Sequence, residues 1–167
     1  MKPETQIQPW IVEDHDTFRR SLQRLCTAER GLTTAPAFAN AESMLAVLQR
    51  VTDDQKPDVL LLDVGLPGRS GLEIIADVHK YAPQCRIVIL TVFEDEDKIS
   101  RAISAGASGY LLKTSRAETV VEAIIEAAQG GSPMSPKVAA SVVKMLAKLT
   151  KDMQDAFLSR RSTELKR

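Results

Sequence analysis

Glu13-Asp14, Asp63, Thr91 and Lys113 are the residues whose types and spacing point to chemistry. Each follows directly on a short apolar run, so each sits where a buried strand would end. In an open parallel sheet, ligands bind outside the carboxyl ends of the strands. Three carboxylates gathered on one rim repel one another and take up protons unless a cation joins them. A hard divalent ion is the simplest such cation, and Mg²⁺ takes one or two carboxylates while keeping places for water and phosphate oxygens. The Lys113 ammonium and the Thr91 hydroxyl are then left to meet an anion, most simply a phosphoryl group. Asp63, central in the set, is the expected nucleophile of an aspartyl phosphate. Any one of these acids alone reads more simply as a helix cap, and Asp14 or Asp16 could serve the helix that follows. Their joint occurrence in order at four strand ends carries the argument.

The elements that must position them alternate along the chain. Apolar runs predict strands at residues 7–12, 32–38, 58–63, 86–91 and 109–112. The third, Asp58-Val-Leu-Leu-Leu-Asp63, is continuously apolar, as expected of a strand buried on both faces. The second contains Pro36 and belongs at an edge. Helical spacing predicts helices over 16–28, after the cap Asn40, over 70–80 and 95–105, and from Ser115 to the stop at Gly130-Gly131. Ser115-Arg-Ala-Glu118 has capping-box spacing. Strict alternation implies an α/β fold: a flavodoxin-like, doubly wound, five-stranded parallel sheet of order 2-1-3-4-5 with five helices. Beyond it, Ser135-Pro136 opens an extra C-terminal helix striped by Val138, Val142, Leu146 and Leu149. Residues 150–167 are polar and basic, and are expected to be a mobile linker.

Composition narrows the classes. The 167 residues suit one domain and a short appendage. No apolar run approaches the length of a membrane span, and the polar N-terminus lacks a secretory pattern. Cys26 and Cys85 have neither metal spacing nor a disulfide framework. A cytoplasmic protein without membrane contact is expected. The 22 basic and 22 acidic residues balance overall, but not locally. Residues 137–167 carry eight Lys/Arg against three acids, net +5, so residues 1–136 carry net −5. The two parts are expected to have different duties.

The stretches Ile-Val-Glu-Asp-His (11–15), Leu-Leu-Leu-Asp-Val-Gly-Leu-Pro-Gly-Arg-Ser-Gly-Leu-Glu (60–73), Ile-Val-Ile-Leu-Thr-Val (87–92) and Gly-Ala-Ser-Gly-Tyr-Leu-Leu-Lys (106–113) resemble a response-regulator receiver domain of two-component systems. Gly-Gly-Ser-Pro-Met-Ser-Pro (130–136) is similar to the linker of the NarL/FixJ subfamily, whose output is a LuxR-type helix-turn-helix. Leu-Ser-Arg-Arg-Ser-Thr-Glu-Leu (158–165) resembles the opening of that output domain, cut short before a recognition helix. The resemblance divides the chain into a receiver at 1–131, a linker helix and basic linker at 132–157, and a truncated start of the helix-turn-helix at 158–167.

The resemblance also implies roles. Asp63 would accept a phosphoryl group from the phosphohistidine of a sensor histidine kinase. Mg²⁺ would be held by Asp14 directly, Glu13 through water, Asp63, and the Gly65 carbonyl. Lys113 would pair with phosphoryl oxygens, Thr91 would turn toward them, and Tyr110 would move inward as the switch. The implied function is phosphorylation-dependent control of transcription, with a possible homodimer and with promoter DNA reached only through the missing helix-turn-helix. The chain would then be a phosphoacceptor switch, with at most slow self-catalysed phosphorylation and dephosphorylation, and not an enzyme.

Some residues depart from the family pattern. Thr114 stands where many receivers have proline, and Val92 is bulkier than the small residue common after the threonine, so it is expected to narrow access to Asp63. A stand-alone receiver, working by phosphorelay or protein contact, is the main alternative. A Mg²⁺-dependent phosphohydrolase of the haloacid type would want a second acid two residues after Asp63, where Gly65 stands. His15 and His79 lack partners at ligand or triad spacing, and Gly65-Leu-Pro-Gly-Arg-Ser-Gly lacks the Walker lysine and the Rossmann spacing.

Overall fold

In a computed structural model that describes residues 6–166, the apolar runs form five parallel strands. They are β1 (Pro9–Val12), β2 (Ala37–Phe38), β3 (Val59–Leu62), β4 (Arg86–Thr91) and β5 (Gly109–Leu112). Their order is β2-β1-β3-β4-β5, as expected for the doubly wound sheet. Between and after them run α1 (Asp16–Ala28), α2 (Ala41–Leu48), α3 (Gly71–Tyr81), α4 (Glu96–Ala105), α5 (Ala117–Ala128) and α6 (Pro136–Leu165).

Strand periodicity divides the apolar side chains between two cores. Ile11, Leu61, Val88 and Leu111 meet Leu22 and Cys26 of α1 and Ile124 of α5. Their neighbours Trp10, Leu60, Leu62, Ile87 and Ile89 pack with Met44, Ile74 and Ile99 of α2, α3 and α4. The sheet is therefore covered on both faces. That burial explains why β3 reads as an uninterrupted apolar run.

Several local expectations are corrected. The strand expected at 32–38 shrinks to Ala37–Phe38, with an isolated bridge between Ile7 and Leu32. Pro36 offers only its carbonyl, which accepts from the Ile11 amide at 3.0 Å. Ser115 does not cap α5: the cap position is Arg116, which makes no side-chain bond there. The Ser115 hydroxyl instead lies 3.3 Å from that of Ser135. Ser135 does take the cap position of α6, its carbonyl accepting from the Ala139 amide at 2.9 Å, but its hydroxyl oxygen accepts from the Leu112 amide at 3.0 Å and makes no capping bond.

The largest difference is at the C-terminus. Residues 150–165, expected as a mobile linker, continue α6 to Leu165, through the segment that resembles the start of an output domain. No glycine or proline follows Pro136, and the stretch is rich in Ala, Leu, Met, Lys, Gln and Arg, all strong helix formers.

Candidate functional site

The carboxyl ends of β1, β3, β4 and β5 bring the predicted residues to one rim. Glu13 and Asp63 are buried, Thr91 is fully buried, and Asp14 is exposed at the edge. Asp14 stays free because His15 caps α1, its Nδ1 accepting from the Phe18 amide at 3.3 Å. Lys113 lies between the two buried carboxylates. Its Nζ donates to Glu13 Oε1 at 2.9 Å and to Asp63 Oδ2 at 2.8 Å. The other oxygen of Asp63, Oδ1, accepts from the Gly65 amide at 3.0 Å. Both oxygens of the expected nucleophile are thus held in place.

The charges follow from this geometry. Burial alone would push the Asp63 carboxyl up, but Lys113, the Gly65 amide and the Thr91 hydroxyl outweigh it and hold the group below its ordinary range. For Glu13 burial wins: with Asp63 adding to it and Lys113 opposing it, the carboxyl is raised. Burial would lower the Lys113 ammonium, yet its two acidic partners raise it. The mutual repulsion expected of three acids is therefore largely answered by one shared lysine, and the residual cost falls on Glu13.

Glu13, Asp14 and Asp63 each offer a carboxylate oxygen, and these oxygens lie within 4.8 Å of one another. An all-oxygen, anionic, partly open donor set of this size fits a hard divalent ion such as Mg²⁺. Two carboxylates from adjacent strands and one at the rim leave room for water or a phosphoryl oxygen.

Four contributors escaped the sequence reading. Arg19 Nη1 donates to the Glu13 carbonyl at 2.8 Å, fixing the end of β1. Phe18 places its ring 4.8 Å from Lys113 Nζ. Phe93 crowds Gly65, the neighbour of Asp63: a Cβ on Gly65 would stand 2.9 Å from the Phe93 ring, while Val92 is 67% exposed. Gly71 lets α3 close onto β3, since a Cβ there would lie 2.2 Å from the Asp63 carbonyl oxygen. None of these carries a strand-end signature, though glycines at 65, 68 and 71 do mark a tight approach.

Tyr110 is fully buried, and its hydroxyl donates to the Phe93 carbonyl at 2.7 Å. Burial, aided by Asp95 and Asp63, pushes that phenol up to about 12. Phe93 is therefore tied to both Gly65 and Tyr110, and its amide donates to Thr91 Oγ1 at 3.5 Å. One short loop after β4 connects the expected nucleophile's neighbour to both expected switch residues.

Residues 10–125 match the response regulator receiver domain family. The chain is 30% identical over 149 residues to the transcriptional regulatory protein DegU of Brevibacillus brevis, covering 89% of this chain and 61% of that protein. It is 33% identical over 138 residues to the nitrate/nitrite response regulator protein NarP of Escherichia coli, covering 83% of this chain and 62% of that protein. It thus spans about three-fifths of the length of these relatives. A two-component response regulator of the LuxR family from Aurantimonas sp. SI85-9A1 superposes with a TM-score of 0.76 at 27% identity, covering 85% of this chain and 99% of that one. Among the described residues no helix is long and apolar enough to cross a membrane. A match that begins in β1 and ends in α5 takes in the whole sheet and every residue of the rim, and it places this chain in the response regulator receiver domain family.

Proposed function

We propose that Asp63 accepts a phosphoryl group from the phosphohistidine of a sensor histidine kinase, and that the modified chain switches conformation to control transcription. The observation that carries this reading is the Lys113 ammonium, 2.8 Å from Asp63 Oδ2, beside an acidic donor set that fits Mg²⁺. Glu13, Asp14, Asp63 and the Gly65 carbonyl would hold the ion, which supplies positive charge next to the phosphoryl oxygens when bound. Asp63 forms the new O–P bond as the N–P bond breaks, and the electron pair returns to the imidazole. Lys113 then faces the equatorial oxygens, where negative charge develops. Phosphoryl transfer asks a protein mainly for position and charge, and this rim offers both.

Phosphoacceptance without enzymatic turnover is the preferred reading because two residues beyond Asp63 stands Gly65, with no side chain to act as acid or base. Incubation with acetyl phosphate and Mg²⁺ should add one phosphoryl mass. The adduct should be lost in Asp63→Asn and in chelator. An adduct of equal yield in Asp63→Asn would overturn the assignment.

A further inference from the structure

From Leu146 to Lys166 every residue of α6 and its cap is exposed. Within that stretch Leu146 (62%), Leu149 (57%), Met153 (65%) and Phe157 (61%) stand open. With Val142 they follow spacings of four, three, four and four, the seam of a helix that packs along another helix. The first turns of α6 already rest on α4 through the buried Val138 and the half-buried Val142 and Met145. The seam continues past α4 without a cover.

Charge names the cover and its direction. The acidic run Glu94-Asp95-Glu96-Asp97 lies beside the start of α6, where Lys137 Nζ is 3.8 Å from Glu94 Oε2. The far end of α6 carries Arg160 and Arg161, both exposed. A parallel pair of these helices would set the arginines of one copy against those of the other. An antiparallel pair with Leu146 opposite the partner's Met153 sets Val142 opposite the partner's Phe157. The arginines of each helix then lie level with residues 138 and 139 of the other copy, toward its acidic run and away from one another, while Lys148 comes level with the partner's Lys151. Such a contact is isologous and closes as a dimer.

We propose that two copies of this chain associate through α6, antiparallel and centred near Leu149, with Arg160 and Arg161 toward the acidic run of the partner. The proposal does not rest on phosphorylation at Asp63. It is small, so its affinity belongs in the micromolar range.

Analytical ultracentrifugation of the full 167-residue chain should show an average mass rising with concentration from 18.3 kDa toward twice that value. Met153→Glu, at an exposed position, should keep the far-ultraviolet spectrum of the wild type and stay monomeric. Orientation is read by mixing two single-cysteine variants, Leu146→Cys and Met153→Cys, under mild oxidation. Antiparallel pairing gives mainly the mixed disulfide, whereas parallel pairing gives each variant linked to itself. A mass of 18.3 kDa at every concentration would overturn the proposal, whether or not the helix then binds anionic vesicles. So would a dimer that persists in Met153→Glu, or self-linked products in excess of the mixed one.

Discussion

Lys113→Met is the substitution that tests the electrostatics of the rim most directly. It keeps the apolar stem beside Phe18 and removes the one charge that both buried carboxylates share. Removing one member of a buried ion pair costs about 3–5 kcal/mol, because the remaining charge is left uncompensated. Here two carboxylates lose their partner, with side chains only 2% and 8% exposed for Glu13 and Asp63. The rim is open at Asp14, and Glu13 can relieve the repulsion by taking a proton, so the low end, about 3 kcal/mol, applies. For a chain of this size that corresponds to a fall of roughly 6–12 °C in melting temperature. The pH dependence should change as well. In the wild type, Asp63 is held low and contributes stability that is lost as pH falls through and below the ordinary carboxylate range, while Glu13 is held high and its cost is relieved in acid. The two slopes oppose each other. Without Lys113 both carboxylates are raised, so the variant should gain stability relative to wild type between about pH 7 and pH 5. Thermal melts in chelator at both pH values, repeated with millimolar Mg²⁺, are the assay. Mg²⁺ should raise the variant more than the wild type, because a cation replaces the missing charge. A variant within about 0.5 kcal/mol of wild type in chelator, with the same pH slope, would refute the reasoning.

Three further outcomes follow from the same contacts. In chelator at neutral pH, Glu13→Gln should melt above wild type and Asp63→Asn below it, since burial raises the first carboxyl while its partners hold the second low; paired calorimetric scans check the opposite signs. Tyr110 has its phenol pushed up to about 12 from 10.0, so folding loses stability as pH rises through that interval. Tyr110→Phe should show a shallower alkaline loss in denaturant titrations at stepped pH. Ser135→Ala leaves the Leu112 amide without its acceptor in a buried place and should cost about 1–3 kcal/mol in urea unfolding.

What could be read in the sequence was whatever the strand ends announce. Glu13, Asp14, Asp63, Thr91 and Lys113 each follow a buried run, and parallel topology alone then brings them to one edge. The sharing of Lys113 between two acids was not readable, because it depends on side-chain reach across β1, β3 and β5. A repulsion argument that treats all three acids alike raises Asp63, whereas the shared ammonium lowers it. Phe93 and Ser135 were hidden for a related reason: their partners, Gly65, Tyr110 and Leu112, are remote in sequence. The capping-box spacing at Ser115 misled because the hydroxyl had a tertiary competitor. The extent of α6 was hidden because exposed helix and exposed linker have similar composition, and only the absence of Gly and Pro separates them here.

The edge of β5 joins the rim to α6. An edge strand normally presents unpaired backbone groups, yet here the segment before α6 takes them. The Tyr110 amide donates to the Pro133 carbonyl at 2.9 Å, and the Ser135 amide donates to the Tyr110 carbonyl at 3.1 Å. The Leu112 amide completes the set by donating to Ser135 Oγ at 3.0 Å. Gly109 permits this approach, since a Cβ there would stand 2.6 Å from the Pro133 oxygen. Tyr110 thus holds the α6 segment by its backbone and the Phe93 loop by its hydroxyl, while Lys113, one residue past β5, holds Asp63 and Glu13. Any displacement of β5 driven from the rim must carry the start of α6 with it or break these three hydrogen bonds. A ligand shifts such an arrangement only by the difference in its affinity for the two states. If Asp63 is phosphorylated as proposed, the rim would supply that difference through Lys113, which now holds Glu13 and Asp63 and would then face a new anion beside Asp63.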